Sequence, residues 1–104
     1  MKIYGGKRKI SDGYLEVKYI EYSNTGEIIN EGVEDFSIER YNRLPVYQIW
    51  TWDGTKRNKG GKRWFDYAQS IRTDGKPAEI KAAFAAARAT FHGTVPAEID
   101  VRKI

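Results

Sequence analysis

The sequence predicts an α+β protein: a curved antiparallel sheet of four or five strands with one alanine-rich helix packed on one face. Three stretches carry that expectation. Residues 13–22 (GYLEVKYIEY) alternate in polarity and run into the turn residues SNTG. Residues 46–52 (VYQIWTW) favour β structure at every position but Gln48. Residues 78–91 (AEIKAAFAAARATF) repeat apolar side chains at helical spacing behind Pro77.

Near the N-terminus, GGKRK at 5–9 reads as a mobile basic arm or as the end of a first strand. In 13–22, Leu15, Val17 and Tyr19 point to one face and Glu16 and Lys18 to the other. Asn24 and Gly26 tolerate positive φ, so the chain turns and 27–32 returns as a second strand. Residues 33–45 are open to two readings: a bent strand through Val33, Phe36 and Ile38, or a helical turn or two from Asp35 to Asn42. Pro45 confines Leu44 to extended geometry and ends any helix there.

The 46–52 strand carries bulk on both faces, Val46-Gln48-Trp50-Trp52 and Tyr47-Ile49-Thr51, which predicts a central strand covered on one face by a helix. Residues 64–71 are its expected partner. The connection 53–63 contains three glycines, predicting a flexible or bulged tip with turns at Asp53-Gly54 and Gly60-Gly61. The helix follows: Pro77 suits its first position, Glu79 favours the dipole, and Gly93 suits the residue past its end. Ile80, Phe84, Ala87 and Phe91 share its buried face, and Lys81 and Arg88 fall away from it. The tail predicts a short edge strand with Ile99, Val101 and Lys103 alternating after Pro96. The tetrapeptide PAEI recurs at 77–80 and 96–99, so a helical turn at 96–101 is the other reading.

At 104 residues, with 40% apolar and 13% aromatic content, the chain is expected to form one domain, residues 1–104. It has no cysteine, which excludes disulfides, zinc–thiolate clusters and thiol chemistry. The first residues lack the apolar core of a signal peptide, and no run reaches the roughly 18 apolar residues of a membrane helix. A soluble cytoplasmic protein without membrane contact is expected.

The net charge of +4 is unevenly spread. Residues 12–39 hold eight acids and one lysine, whereas 40–88 hold eleven basic residues and four acids. A dipolar surface results if the fold keeps these blocks apart; mutual neutralisation results if it lays them side by side. The densest basic cluster is Lys56, Arg57, Lys59, Lys62 and Arg63. Such a loop can track a phosphate backbone, with Trp52 and Trp64, which flank it directly, the best placed rings for stacking on bases or for pairing across the strands. Trp50, Phe65 and Tyr67 are nearby and would contribute if exposed. The plain alternative is a solvated hairpin tip.

A second cluster, GGKRK at 5–9, resembles GGKRW at 60–64; both place glycine amides where an anion could nest. Neither a phosphate-loop nor a dinucleotide-binding pattern is present. Glu16, Glu21, Glu27, Glu31, Glu34, Asp35 and Glu39 suggest an acidic face for a basic protein partner. His92, with Glu79 or Asp74 and Arg72 or Arg88, is the remaining route to a ribonuclease-like hydrolase; beside Gly93 it equally suits a helix end. The shortage of catalytic residue types favours a binding protein over an enzyme. No cofactor or metal is expected, and the partner is single-stranded nucleic acid, another polyanion, or a protein.

Overall fold

The computed structural model describes Met1–Ile104. Its elements are β1 (Lys2–Ser11), β2 (Tyr14–Tyr22), β3 (Ile28–Ser37), α1 (Ile38–Arg43), β4 (Val46–Trp52), β5 (Asp66–Thr73), α2 (Pro77–His92) and β6 (Glu98–Lys103). The fold is α+β, with one open sheet in the order β3-β2-β1-β5-β4-β6. Every neighbouring pair is antiparallel. The sheet has six strands where four or five were expected, because the basic N-terminal stretch is a full strand.

The alternation in β2 sets the register. Leu15 and Val17 are buried, and they face Phe36 and Glu34 across β3. The returning strand therefore runs to Ser37, well beyond residue 32. Both readings of 33–45 hold in succession: strand first, then one short helix. The switch falls at Ser37, whose hydroxyl accepts from the Arg40 amide at 3.1 Å. Pro45 closes the helix by holding Leu44 extended. At the far end of the hairpin, Gly26 lies against α2; a Cβ there would come within 2.3 Å of the Ala82 carbonyl oxygen.

The two halves of the sheet meet through two residue pairs, Ile3–Thr73 and Tyr4–Arg72. Successive strand residues point to opposite faces. Tyr4 accordingly joins one core with Leu15, Val17, Phe36 and Tyr41, beneath α1. Ile3 packs against the other, made by Tyr47, Ile49, Ile71 and Ile80, beneath α2. The cores thus lie on opposite faces of the sheet, and the molecule is elongated, 51 × 28 × 19 Å.

The junction is reinforced by side chains. The Thr73 hydroxyl, fully buried, donates to the Lys2 carbonyl at 2.6 Å and accepts from the Gly75 amide at 3.0 Å. Asp74 accepts from the Lys2 amide at 2.7 Å. Arg72 stacks on Tyr41, 4.7 Å from the ring centre, and donates to the carbonyls of Tyr41 and Leu44 at 3.1 and 3.0 Å. The end of α1 is thereby tied to β5. Burial, followed by the negative charges of Glu34 and Asp74, pushes the Tyr4 hydroxyl up to about 12.

The predicted helix is present, with Pro77 at its start and Gly93 closing it in left-handed geometry. Glu79 accepts from the Lys76 amide at 2.9 Å. Ile80 and Ala83 are buried and Phe84 half-buried, but Phe91 is 77% exposed rather than buried. It stands about 10 Å along the axis from Phe84, at an open groove between α2 and the sheet that Ile3, Ile49 and Gln69 also line. Arg88, expected to point away, is half-buried with its guanidinium 4.8 Å from the Phe84 ring centre. The second PAEI forms no helical turn, and β6 is an edge strand.

Thr73→Val keeps the shape of the side chain but strands the Gly75 amide and leaves the Lys2 carbonyl with only the long 3.4 Å bond from the Asp74 amide. Urea denaturation should show a loss of about 1–3 kcal/mol at unchanged m, against about 0.5 kcal/mol or less for the exposed Thr94→Val. On α2, Ile80→Ala should cost about 2–5 kcal/mol. Phe91→Ala should stay within about 0.5 kcal/mol in the same assay.

Candidate functional site

The connection between β4 and β5 is folded on itself rather than loose. One carboxylate oxygen of Asp53 accepts from the amides of Thr55 (2.7 Å) and Lys56 (2.8 Å) and from the Thr55 hydroxyl (3.0 Å). At the tip, the Asn58 side-chain oxygen accepts from the amides of Gly60 (2.9 Å) and Lys62 (3.1 Å), and the Asn58 carbonyl accepts from Gly61 (3.0 Å). Gly61 takes a φ of 80°, which an L side chain would resist. The glycine amides that seemed free to nest an anion are therefore filled by Asn58. Gly5 and Gly6 form no nest either; they are extended within β1.

The basic residues divide in two. Lys56 pairs with Asp66 at 3.0 Å, and Arg63 pairs with Glu98 of β6. Arg57, Lys59 and Lys62 make no ion pair; Arg57 donates to the Gly61 carbonyl at 2.9 Å. The Lys56 ammonium holds the Asp66 carboxyl below its ordinary range, and Asp66 in turn raises Lys56. Asp53 is also held low, first by the Lys56 amide and then by that of Thr55.

Trp52 and Trp64 do not pair. Trp52 lies on the same face of β4 as Trp50, opposite α2, and its indole N–H donates to the Lys56 carbonyl at 2.7 Å. The 53%-exposed Trp64 donates to Asp66 at 3.1 Å. Asp66 is the partner of Thr51 and so faces the α2 side. The rings are thus directed to opposite faces. β5 begins at Asp66, so Trp64 belongs to the loop and not to the strand.

Around Trp52 the structure gathers what the sequence leaves scattered. The guanidinium groups of Arg57 and Arg63 lie 5.3 and 5.6 Å from its ring centre. Arg63 is also 5.6 Å from Phe65. Next to these, Arg102 of β6 lies 4.4 Å from the Trp50 ring, which meets Tyr67 edge to face at 5.5 Å. Arg102 has no signal in the sequence, because only the β4–β6 pairing sets it opposite Gln48 and beside Trp50. The alternation of 98–103 marks a strand but names no neighbour.

The remaining candidates are taken up by structure. Arg8 of the N-terminal cluster pairs with Glu16 at 2.9 Å, Lys9 with Asp12 at 3.2 Å, and Lys7 lies over Tyr41. Glu34 holds both Lys2 and Arg40, each at 2.9 Å. The acidic and basic blocks of this half are thus laid side by side and neutralise each other in part. His92 stands thirteen residues from Glu79 on the same helix, about 20 Å away. Asp74 precedes that helix, so the imagined hydrolytic group does not assemble with either acid. No three of the histidine and carboxylate side chains gather around a common point. No helix is long and apolar enough to cross a membrane.

Comparison with known protein families, curated proteins and solved structures finds no match to the chain.

The depressed carboxyls give a pH test of the loop. Their hydrogen bonds are intact above the ordinary aspartate range and are lost as pH falls through the lowered values. In a carboxyl NMR titration, Lys56→Ala should move the Asp66 midpoint up toward that of an ordinary aspartate. Asp53, held mainly by backbone amides, should stay low.

Proposed function

We propose that this is a small non-enzymatic binding protein that contacts nucleic acid or another polyanion through the basic tip of the β4–β5 hairpin. The supporting observation is the arrangement at Trp52, where Arg57 and Arg63 lie against one ring while Lys59 and Lys62 stand unpaired on the same loop. Solubility alone calls for charge at a tip; it does not call for guanidinium groups held over an indole. Lys56 and Arg63 are engaged with Asp66 and Glu98, so Arg57, Lys59 and Lys62 supply most of the free charge. Trp52 is the ring in reach of that charge, and Trp64 serves the loop from the other side. A cytoplasmic location goes with this reading.

A protein partner at the 12–39 face is the second reading. It draws on β3, an outer edge strand with exposed Ile28, Ile29 and Val33 beside Glu27 and Glu31. An unpaired strand edge with apolar side chains is a surface on which another chain can dock.

Titrations with single-stranded RNA, single-stranded DNA and duplex DNA, from about 50 to 200 mM salt, test the first reading. Affinity should fall as salt rises. Neutralising Arg57, Lys59 and Lys62 to Gln should flatten the single-strand slope by about 2, at about 0.7 per phosphate contact. Absence of binding to all three polymers at low salt would sink the polyanion reading and leave the β3 edge as the better candidate.

A further inference from the structure

Of the two sheet faces, the one opposite α2 is left bare over β5, β4 and β6. α1 covers the other half of the sheet and reaches only as far as Arg72. A sheet with one face on the core and one in water should carry polar side chains on the wet side. β4 carries Gln48 there but also Trp50 and Trp52, both half-buried under the Arg102 and Arg63 side chains. Tyr67, directly opposite Trp50 on β5, is 51% exposed. No second layer accounts for these rings.

We infer that the polyanion is single-stranded nucleic acid, with two or three unpaired bases stacked across this bare face and the adjoining phosphates held by the hairpin tip. The inference rests on the polyanion reading and gives it a ligand and a direction. Its warrant is a contiguous series of flat groups: Tyr67 against Trp50, Arg102 over Trp50, and Arg63 between Phe65 and Trp52. Arg102 also comes within 6.0 Å of Phe65, which joins the two ends of the series. Aromatic rings and guanidinium planes are the surfaces on which splayed bases stack.

The dimensions fit. Trp50 and Trp52 are about 7 Å apart along the strand, and Tyr67, Trp50 and Arg102 span about 10 Å across three strands. That area takes a few bases and no more.

Charge decides which part of the polymer goes where. Asp100 holds Arg102 at 2.8 Å, and Glu98 holds Arg63, so the face itself is close to neutral. These carboxylates repel phosphate from the sheet and leave the rings to the bases. The unpaired positive charge lies beyond Trp52, on Arg57, Lys59 and Lys62. A duplex offers phosphates to such a tip but keeps its base faces stacked inside, so it can engage only half of the surface.

The test is fluorescence anisotropy on the full chain with a 12-nucleotide oligo-dT, a 12-nucleotide oligo-U, a 12-base-pair duplex and heparin. Both single strands should bind at least about tenfold tighter than the duplex or heparin, given stacking of a base or more. Tyr67→Ala and Arg102→Gln should each weaken single-strand binding, Tyr67→Ala by about 5- to 150-fold. Both should leave duplex and heparin binding unchanged. Tyr67 is chosen because its exposed ring can be removed without opening the core; circular dichroism checks the fold of each variant. If duplex and heparin bind as tightly as the single strands, or if neither variant discriminates among the four, the base platform is wrong while the polyanion reading stands. If none of the four binds at low salt, the polyanion reading fails, and this inference with it.

Discussion

The structure depends on a junction two residue pairs long. β1 and β5 pair only at Ile3–Thr73 and Tyr4–Arg72, and through them a three-stranded half meets another. Because adjacent strand residues face opposite ways, this one dipeptide contributes to two cores on two faces. Two backbone pairs would be a weak seam alone. The Thr73 hydroxyl, the Asp74 carboxylate and the Arg72 guanidinium each add a bond across it, and Arg72 also anchors α1. The bareness of the β5–β4–β6 face follows directly. α1 is spent on the first core and α2 on the opposite face, so no element remains to cover it.

The same topology sorts the charges. In the first half, β1 and β2 pair with Arg8 directly opposite Glu16, and Glu34 of β3 reaches both Lys2 and Arg40. Register there turns a sequence of opposed blocks into mutual neutralisation. In the second half the acids come from β6, and they engage Arg63 and Arg102 on the face while the far end of the tip stays unpaired. The first half pairs part of its charge across its strands, and the second leaves Arg57, Lys59 and Lys62 unpaired at one end.

What was legible in the sequence was local. The limits of α2 follow from Pro77, Glu79 and Gly93, and the faces of β2 follow from Leu15 and Val17, because caps and alternation act over a few residues. Phe91 is exposed against expectation because helical spacing reports a face, not how closely the sheet approaches it; an open groove separates this end of α2 from the sheet. β1 carries little strand signal of its own because KIYGGKRKIS is rich in glycine and lysine; its strand state comes from pairing with β2, not from propensity. At the site, the basic cluster is plain in the sequence and Arg102 is not, since Gln48 and Trp50 lie more than fifty residues away in the chain and are brought beside it only by strand order. Asn58 left a fainter trace. Asn58, one residue ahead of the Gly60-Gly61 pair, is Asx-turn chemistry, and it is what orders a tip whose glycines alone suggest looseness.

That order bears on how such a surface binds. A flexible basic loop pays conformational entropy when it settles on a ligand, at about 0.5–1.5 kcal/mol for each long side chain immobilised. Here the backbone of the loop and the Arg57 side chain are already settled, while the Lys59 and Lys62 side chains are free. Asp53 and Asn58 fix the two bends of the loop, and the Trp52 indole N–H ties the strand end to Lys56. With Arg57 and Arg63 against the Trp52 ring, the tip is held at one angle to the sheet. Tip and face are then a single preorganised unit hinged on one residue. A ligand that uses both gains from the arrangement, whereas one that uses the charge alone gains little from it. On the proposed reading, the arrangement around Trp52 would suit a polymer whose phosphates and bases are engaged together.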